Sequence, residues 1–147
     1  MFELSQIKGF EGVELYESTH FFVKKERKIL HILLHHFHEI EHRRLFSDYA
    51  CGSLHEMLVK VYKYSDDQAY RRAAAMRLLF ELPQIEEKIL SGELTLTNMN
   101  IAQSLFRQEA IHAESFSKDK KLEIIEQISG KSSKQAERIA LSNSSKP

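Results

Sequence analysis

Tryptophan is absent from this chain, cysteine occurs once, and 147 residues hold only 2 prolines and 5 glycines. With Cys51 alone, neither an intramolecular disulfide nor a cysteine-based zinc site can form within one chain, and a reducing compartment fits. No run of about 18 apolar residues exists, which excludes a membrane-spanning helix. The N-terminus, with Glu3 and Lys8 and no apolar core, is not a signal peptide. These two absences lead us to expect a cytoplasmic protein. Charge of one sign is missing too: 21 basic residues balance 21 acidic ones. A protein that coats nucleic acid by bulk electrostatics alone is thereby disfavoured. The distribution is uneven, with a balance of −3 over residues 1–23, +2 over 24–52, +1 over 53–82 and zero over 83–147. A local basic face is therefore open to this chain, but a strongly cationic domain is not.

Catalytic signatures are also missing. There is no phosphate-binding G-x-x-x-x-G-K-[ST] loop, no G-x-G-x-x-G and no G-x-S-x-G elbow. Cys51 and His55 stand one helical turn apart, yet Cys51 reads as a buried structural thiol rather than a nucleophile. Glu86 and Glu87 are adjacent, so a helix would point them apart and they make no acid/base pair. The chain reads as non-catalytic and without a cofactor.

What is present is a helical chain. Hydrophobic residues make up 42% and charged residues 29%, as in globular proteins, and strand-like alternation is lacking. We expect an all-α fold: a multi-helix bundle with a long N-terminal helix and a helix-turn-helix core. Residues 1–17, interrupted by Gly9 and Gly12, read as an N-terminal arm, 18–141 as the helical domain, and 142–147 as a disordered tail or the start of a linker. Ser18-Thr19 is expected to cap a helix over 20–46, with Ile29, Leu33, Phe37 and Ile40 as its apolar stripe. A helix of that length often pairs with a second copy, so a homodimer through residues 20–46 is one expectation. Further helices are expected from Gln84 to Leu90, from Thr97 to Ala110, from Lys118 to Ile128 and around Ala136 to Leu141. Gly92 and Gly130 should act as stops.

The chain is organised around Ser53 to Pro83. Ser53 caps one helix, with Glu56 as capping-box partner; Ser65 caps the next, with Asp66 and Asp67 in its first turn. Ala69, Ala73, Met76 and Phe80 form an apolar stripe, while Gln68, Arg71, Arg72 and Ala75 share another face. Two helices, a tight turn, small alanines and an Arg/Gln face suit a helix-turn-helix that binds double-stranded DNA. Gln68, Arg71 and Arg72 are the candidates for groove contacts, and Lys60, Lys63 and Arg77 those for phosphates. The plainer alternative is that the arginines are the solvated side of a bundle helix and the domain binds protein.

His31, His35, His38 and His42 recur along one face of the long helix, with His36 beside them. An i, i+4 pair is a usable metal-ligand spacing. The glutamate of the zinc-protease motif does not follow His35, and no third ligand is near in sequence. These four are minor metal candidates, and a metal- or pH-sensing helix is a third functional reading.

The run VYKYSDDQAYRRAAAMRLLFELPQIEEKILSGELTLTNMNIAQSLFRQE resembles the helical N-terminal region of a family of bacterial HNH endonucleases. Upstream, EIEHRRLFSDYACGSLHEMLV is similar to the same region, as is GKSSKQAERI downstream, so the likeness covers about Glu39 to Ile139. It implies a non-catalytic, DNA-binding helical region. The family's metal-dependent ββα nuclease module has no counterpart here, since no histidine follows His112. More distantly, MRLLFELPQIEEKILSGELT resembles the helix-turn-helix of ParB-type partition proteins.

Overall fold

The computed structural model describes residues 3–145, and among them there is no β-strand. A 3₁₀ turn at Leu4–Gly9 leads into α1 (Gly12–His42), and a second at Leu45–Tyr49 into α2 (Leu54–Lys60). Then come α3 (Asp66–Glu81), a 3₁₀ turn at Pro83–Ile85, and α4 (Glu86–Ser91). The chain closes with α5 (Leu96–His112), α6 (Lys118–Ile128) and α7 (Ser133–Asn143). The all-α bundle with a long N-terminal helix is what the sequence led us to expect. No described helix is long and apolar enough to cross a membrane.

α1 differs from expectation at both ends. It starts at Gly12 behind Glu11, so much of the expected arm is helix. Ser18 and Thr19 lie inside it, where the Thr19 hydroxyl donates to the Leu15 carbonyl at 2.8 Å and is satisfied without capping anything. The helix stops at His42 because Arg44 turns left-handed at φ 56, and Phe46 is buried in the following 3₁₀ turn. Over its 31 residues, about 46 Å at 1.5 Å per residue, only Leu34 and Phe37 are buried. Its C-terminal half packs on α3 and α4, and its N-terminal half projects with Val13, Tyr16 and Phe21 exposed.

Local capping places the middle helices. The Ser53 hydroxyl accepts from the Glu56 amide at 3.1 Å, while the Glu56 carboxylate accepts from the Gly52 amide at 2.8 Å rather than from the cap residue itself. Ser65 and Gln68 form a reciprocal capping box: the Gln68 amide donates to Ser65 Oγ at 3.2 Å and the Ser65 amide to Gln68 Oε1 at 3.0 Å. Between the helices Lys63 takes the left-handed conformation at φ 65, where such turns often carry glycine.

α3 is the hub of the bundle, packed against α1, α2 and α5. Ala69, Ala73 and Ala75 are all at most 3% exposed and let those neighbours approach closely. Ala75 was expected on the outer face with the arginines; it is fully buried, because α3 is covered on three sides rather than one. Leu34, Leu58, Met76, Leu78, Ile85 and Met99 fill the centre, and Ile124, Ile125, Ile128 and Ala136 extend it between α5, α6 and α7. α5 starts earlier than expected, with Thr95 rather than Thr97 as cap, accepting from the Asn98 amide at 3.1 Å.

Gly92 ends α4 with φ 84, and α1 leans on it. Arg27 Nη1 donates to the Ser91 carbonyl at 3.2 Å. A Cβ at position 92 would stand 2.5 Å from Arg27 Cζ. At the other end, Ser142 and Asn143 belong to α7, and the Ser145 amide donates to Glu109 Oε1 at 2.7 Å. That part of the expected tail is therefore ordered, and 146–147 lie outside the described residues.

Candidate functional site

The six residues assigned to DNA separate into two groups. Lys60 and Arg77 are neutralised by neighbours. Lys60 Nζ lies 2.7 Å from Glu56 Oε1, an i, i+4 pair on α2. The Lys60 ammonium, and after it the Gly52 amide, hold the Glu56 carboxyl below the usual range, and Glu56 raises Lys60 in turn. Arg77 Nη2 bonds Glu41 Oε2 at 2.8 Å and so ties α3 to α1. Neither has an open charge to offer a phosphate without giving up that partner.

Gln68, Arg71 and Arg72 are brought together, with a partner that the sequence did not reveal. All three line one groove with Glu26, Arg27 and Leu30 of α1 and Thr95 to Thr97 at the start of α5. Three arginines from two helices thus line one groove, together with Glu26, beside the N-terminus of a 17-residue helix, whose first amides and dipole also favour an anion. Arg72 is held in place: its guanidinium lies 4.4 Å from the Tyr64 ring centroid, Nη1 donates to the Gln68 carbonyl at 3.2 Å, and Nε is buried without a protein partner. Gln68 is engaged in the capping box, so its side chain supports the helix end and does not reach outward. Arg71 and Lys63 are exposed, with no side-chain hydrogen bond or ion pair among the described residues. Asp66 and Asp67 flank them at the helix start. His55 Nε2 lies 3.2 Å from Asp66. Phosphate is therefore favoured at the arginine groove and disfavoured at the tip of α3.

The histidine row splits as well. His38 stacks flat on Phe80, centroids 3.6 Å apart and planes at 1°, and His42 stacks behind it at 5.9 Å. The Nδ1 atom of His38 is buried without a partner. His36 Nδ1 donates to the Ile32 carbonyl at 2.8 Å. His31 and His35 instead turn to each other and to α4: His31 Nε2 lies 3.2 Å from His35 Nε2 and 3.0 Å from Glu86 Oε1. The third ligand missing from the sequence is supplied by the fold. Cys51 is buried, and its thiol donates to the Tyr49 carbonyl at 3.5 Å, as a structural cysteine does.

Arg27 and Glu86 are the residues that sequence reasoning missed. Neither has a local signal, because each acquires its neighbours only when α1 packs on the α3–α4 layer. Comparison of the chain with protein-family models, with curated proteins and with solved structures returns no match.

Proposed function

We propose that the protein binds duplex DNA through its backbone, as a helical module of the kind that accompanies HNH nuclease domains, and that it works in the cytoplasm. What carries the reading is the convergence of Arg27, Arg71 and Arg72 on one groove at the N-terminus of α5. Guanidinium groups match phosphate geometry, and backbone amides at a helix start complete such sites. The α2–α3 pair has the order of a helix-turn-helix, but Asp66 and Asp67 repel phosphate at the tip of α3, so its contact with DNA rests on Arg71, exposed on the flank of that helix. Fluorescence anisotropy with random-sequence duplex DNA across a salt series tests it. Binding should steepen at low salt, and Arg71→Ala should weaken all sequences and lower the salt slope by about one phosphate contact. No binding at low salt, or binding indifferent to Arg71, sinks the reading.

A second reading rests on a separate observation and on a different end of the molecule. The projecting half of α1 exposes Val13, Leu15, Tyr16 and Phe21. Its charges run acidic, then mostly basic: Glu11, Glu14 and Glu17, then Lys24, Lys25, Arg27 and Lys28 interrupted by Glu26. In an antiparallel pair centred near Thr19–His20, Glu11 would face Lys28 of a second copy, Glu14 would face Lys25, and Tyr16 would face Val23. The partner this face fits is thus a second copy of the chain, in a two-fold arrangement. Sedimentation equilibrium should show a dimer that Glu14→Lys or Lys25→Glu weakens. The double reversal should restore it, since it regenerates the complementary pairs. A monomer at all concentrations, or single reversals without effect, removes this reading.

A further inference from the structure

We infer that His31, His35 and Glu86 form a binding site for a divalent d-block cation, with zinc as the ion to test. Their three ligand atoms lie within 4.8 Å of one another. Two ligands of one tetrahedral ion at about 2.0–2.1 Å from the metal stand roughly 3.3 Å apart. The observed separations of 3.2 Å between the histidine nitrogens and 3.0 Å from His31 to the carboxylate are close to that edge.

Hydrogen bonding alone accounts poorly for this arrangement. His31 Nε2 is shared by both contacts, and a neutral imidazole nitrogen is either a donor or an acceptor. If it donates to Glu86, it has no lone pair in the ring plane for a proton from His35, and the His35 contact survives only if the one N–H is split between the carboxylate and the His35 nitrogen. If it accepts from His35, it turns that lone pair toward a carboxylate oxygen. A single cation takes a lone pair from all three groups at once and removes the conflict.

The ligands are positioned by packing. His31 and His35 are one turn apart on α1, and their side chains meet edge to face at 4.7 Å, with His35 also edge-on to Phe80 at 5.0 Å. Glu86 is the first residue of α4, set by the 3₁₀ turn that Pro83 opens. The His31 side chain is 14% exposed and that of Glu86 49%. One wall of the site is therefore protein and the other is open, which leaves a fourth position for water. Two imidazoles and one carboxylate suit zinc, cobalt or nickel, and they disfavour calcium and magnesium, which require more oxygen ligands. Such an ion would staple α1 to α4.

Equilibrium dialysis of the untagged full chain against Zn²⁺, with metal analysis and a competing chelator, tests the site. One zinc per chain is expected, and Glu86→Gln and His35→Gln should each weaken it at least tenfold, whereas His38→Gln/His42→Gln should leave it unchanged. Cobalt should give the intense visible absorption of a four-coordinate site, lost in the same two variants. Circular dichroism of the variants separates lost ligation from lost fold, and Glu86 is exposed enough for its substitution to leave the helices intact. The inference is overturned if the wild type binds no zinc, if Glu86→Gln binds as tightly as the wild type, or if the His38/His42 variant is the one that loses the ion.

Discussion

Arg27 and Gly92 show how one residue's backbone freedom sets another's position. Gly92 is left-handed at φ 84, and the Arg27 guanidinium occupies the space a side chain would need. Gly92→Ala should cost about 1–3 kcal/mol from backbone strain alone. It should also displace Arg27 from the groove it shares with Arg71 and Arg72, so the proposed DNA binding should fall together with stability. Gly130→Ala is the comparison: φ is 74, yet nothing stands within 4 Å of the added Cβ. Urea melts of both variants beside anisotropy titrations should show a stability loss in each and a binding loss in the first only. Glu109 is a second such position. It is buried, and the Ser145 amide, foremost among its hydrogen-bond donors, holds its carboxyl below the usual range. A carboxyl depressed in the folded state contributes stability that is present above its unfolded pKa of about 4.3 and lost as pH falls through the lower folded value. Hydrogen exchange at Ser145 should therefore lose protection in acid before the core does, and Glu109→Gln should lose it at neutral pH.

At the scale of the element, the two halves of α1 differ in what holds them. Residues 27–42 lie against α3 and α4, with Leu34 and Phe37 buried. Residues 12–26 contribute no buried side chain. An isolated helical stretch of that length is marginal in water. Amide exchange over 12–26 should accordingly be fast in dilute solution and slow as concentration rises, if this half is covered by a second copy. Exchange that is equally slow at every concentration would show that the segment needs no partner. The start of α1 was also the least legible boundary. Ser18-Thr19 has the composition of a cap, but a threonine hydroxyl inside a helix finds the carbonyl four residues back, so the residue type alone does not mark an end. Ser53, Ser65, Ser117 and Ser132 do cap the helices that follow them, each accepting an amide three residues on.

For the whole molecule, the arrangement centres on α3, which packs mainly on α1, α2 and α5 and is tied to α6 by the Lys121–Glu81 ion pair, while α6 and α7 close over α5. Leu78 is fully buried at this hub. Leu78→Ala should destabilise the fold by about 2–5 kcal/mol, the range for an unfilled core cavity. Probes placed in the C-terminal half of α1 and in α7 should melt in one coincident transition, because the core runs without a break from Leu34 to Ala136. Separate transitions would mean that the α6–α7 end is its own unit.

The sequence by itself determined the helical class, the caps at Ser53, Ser65 and Ser117, a last cap at Ser132 or Ser133 that the structure places at Ser132, the stops at Gly92 and Gly130, and the outline of the α2–α3 pair. These depend on contacts within a few residues, which composition and spacing encode directly. Apart from the local Lys60–Glu56 pair on α2, tertiary structure decided which of the candidate charges stay open. Arg77 is matched by Glu41 and Arg71 is not, Arg27 crosses to Ser91, and His31 meets Glu86. It also decided that Ala75 lies inside, since a helix covered on three sides has no single apolar stripe for periodicity to reveal. The arginine groove and the His-His-Glu cluster are both products of α1 packing across the α3–α4 layer, and no local pattern foretells which side chains that packing brings face to face.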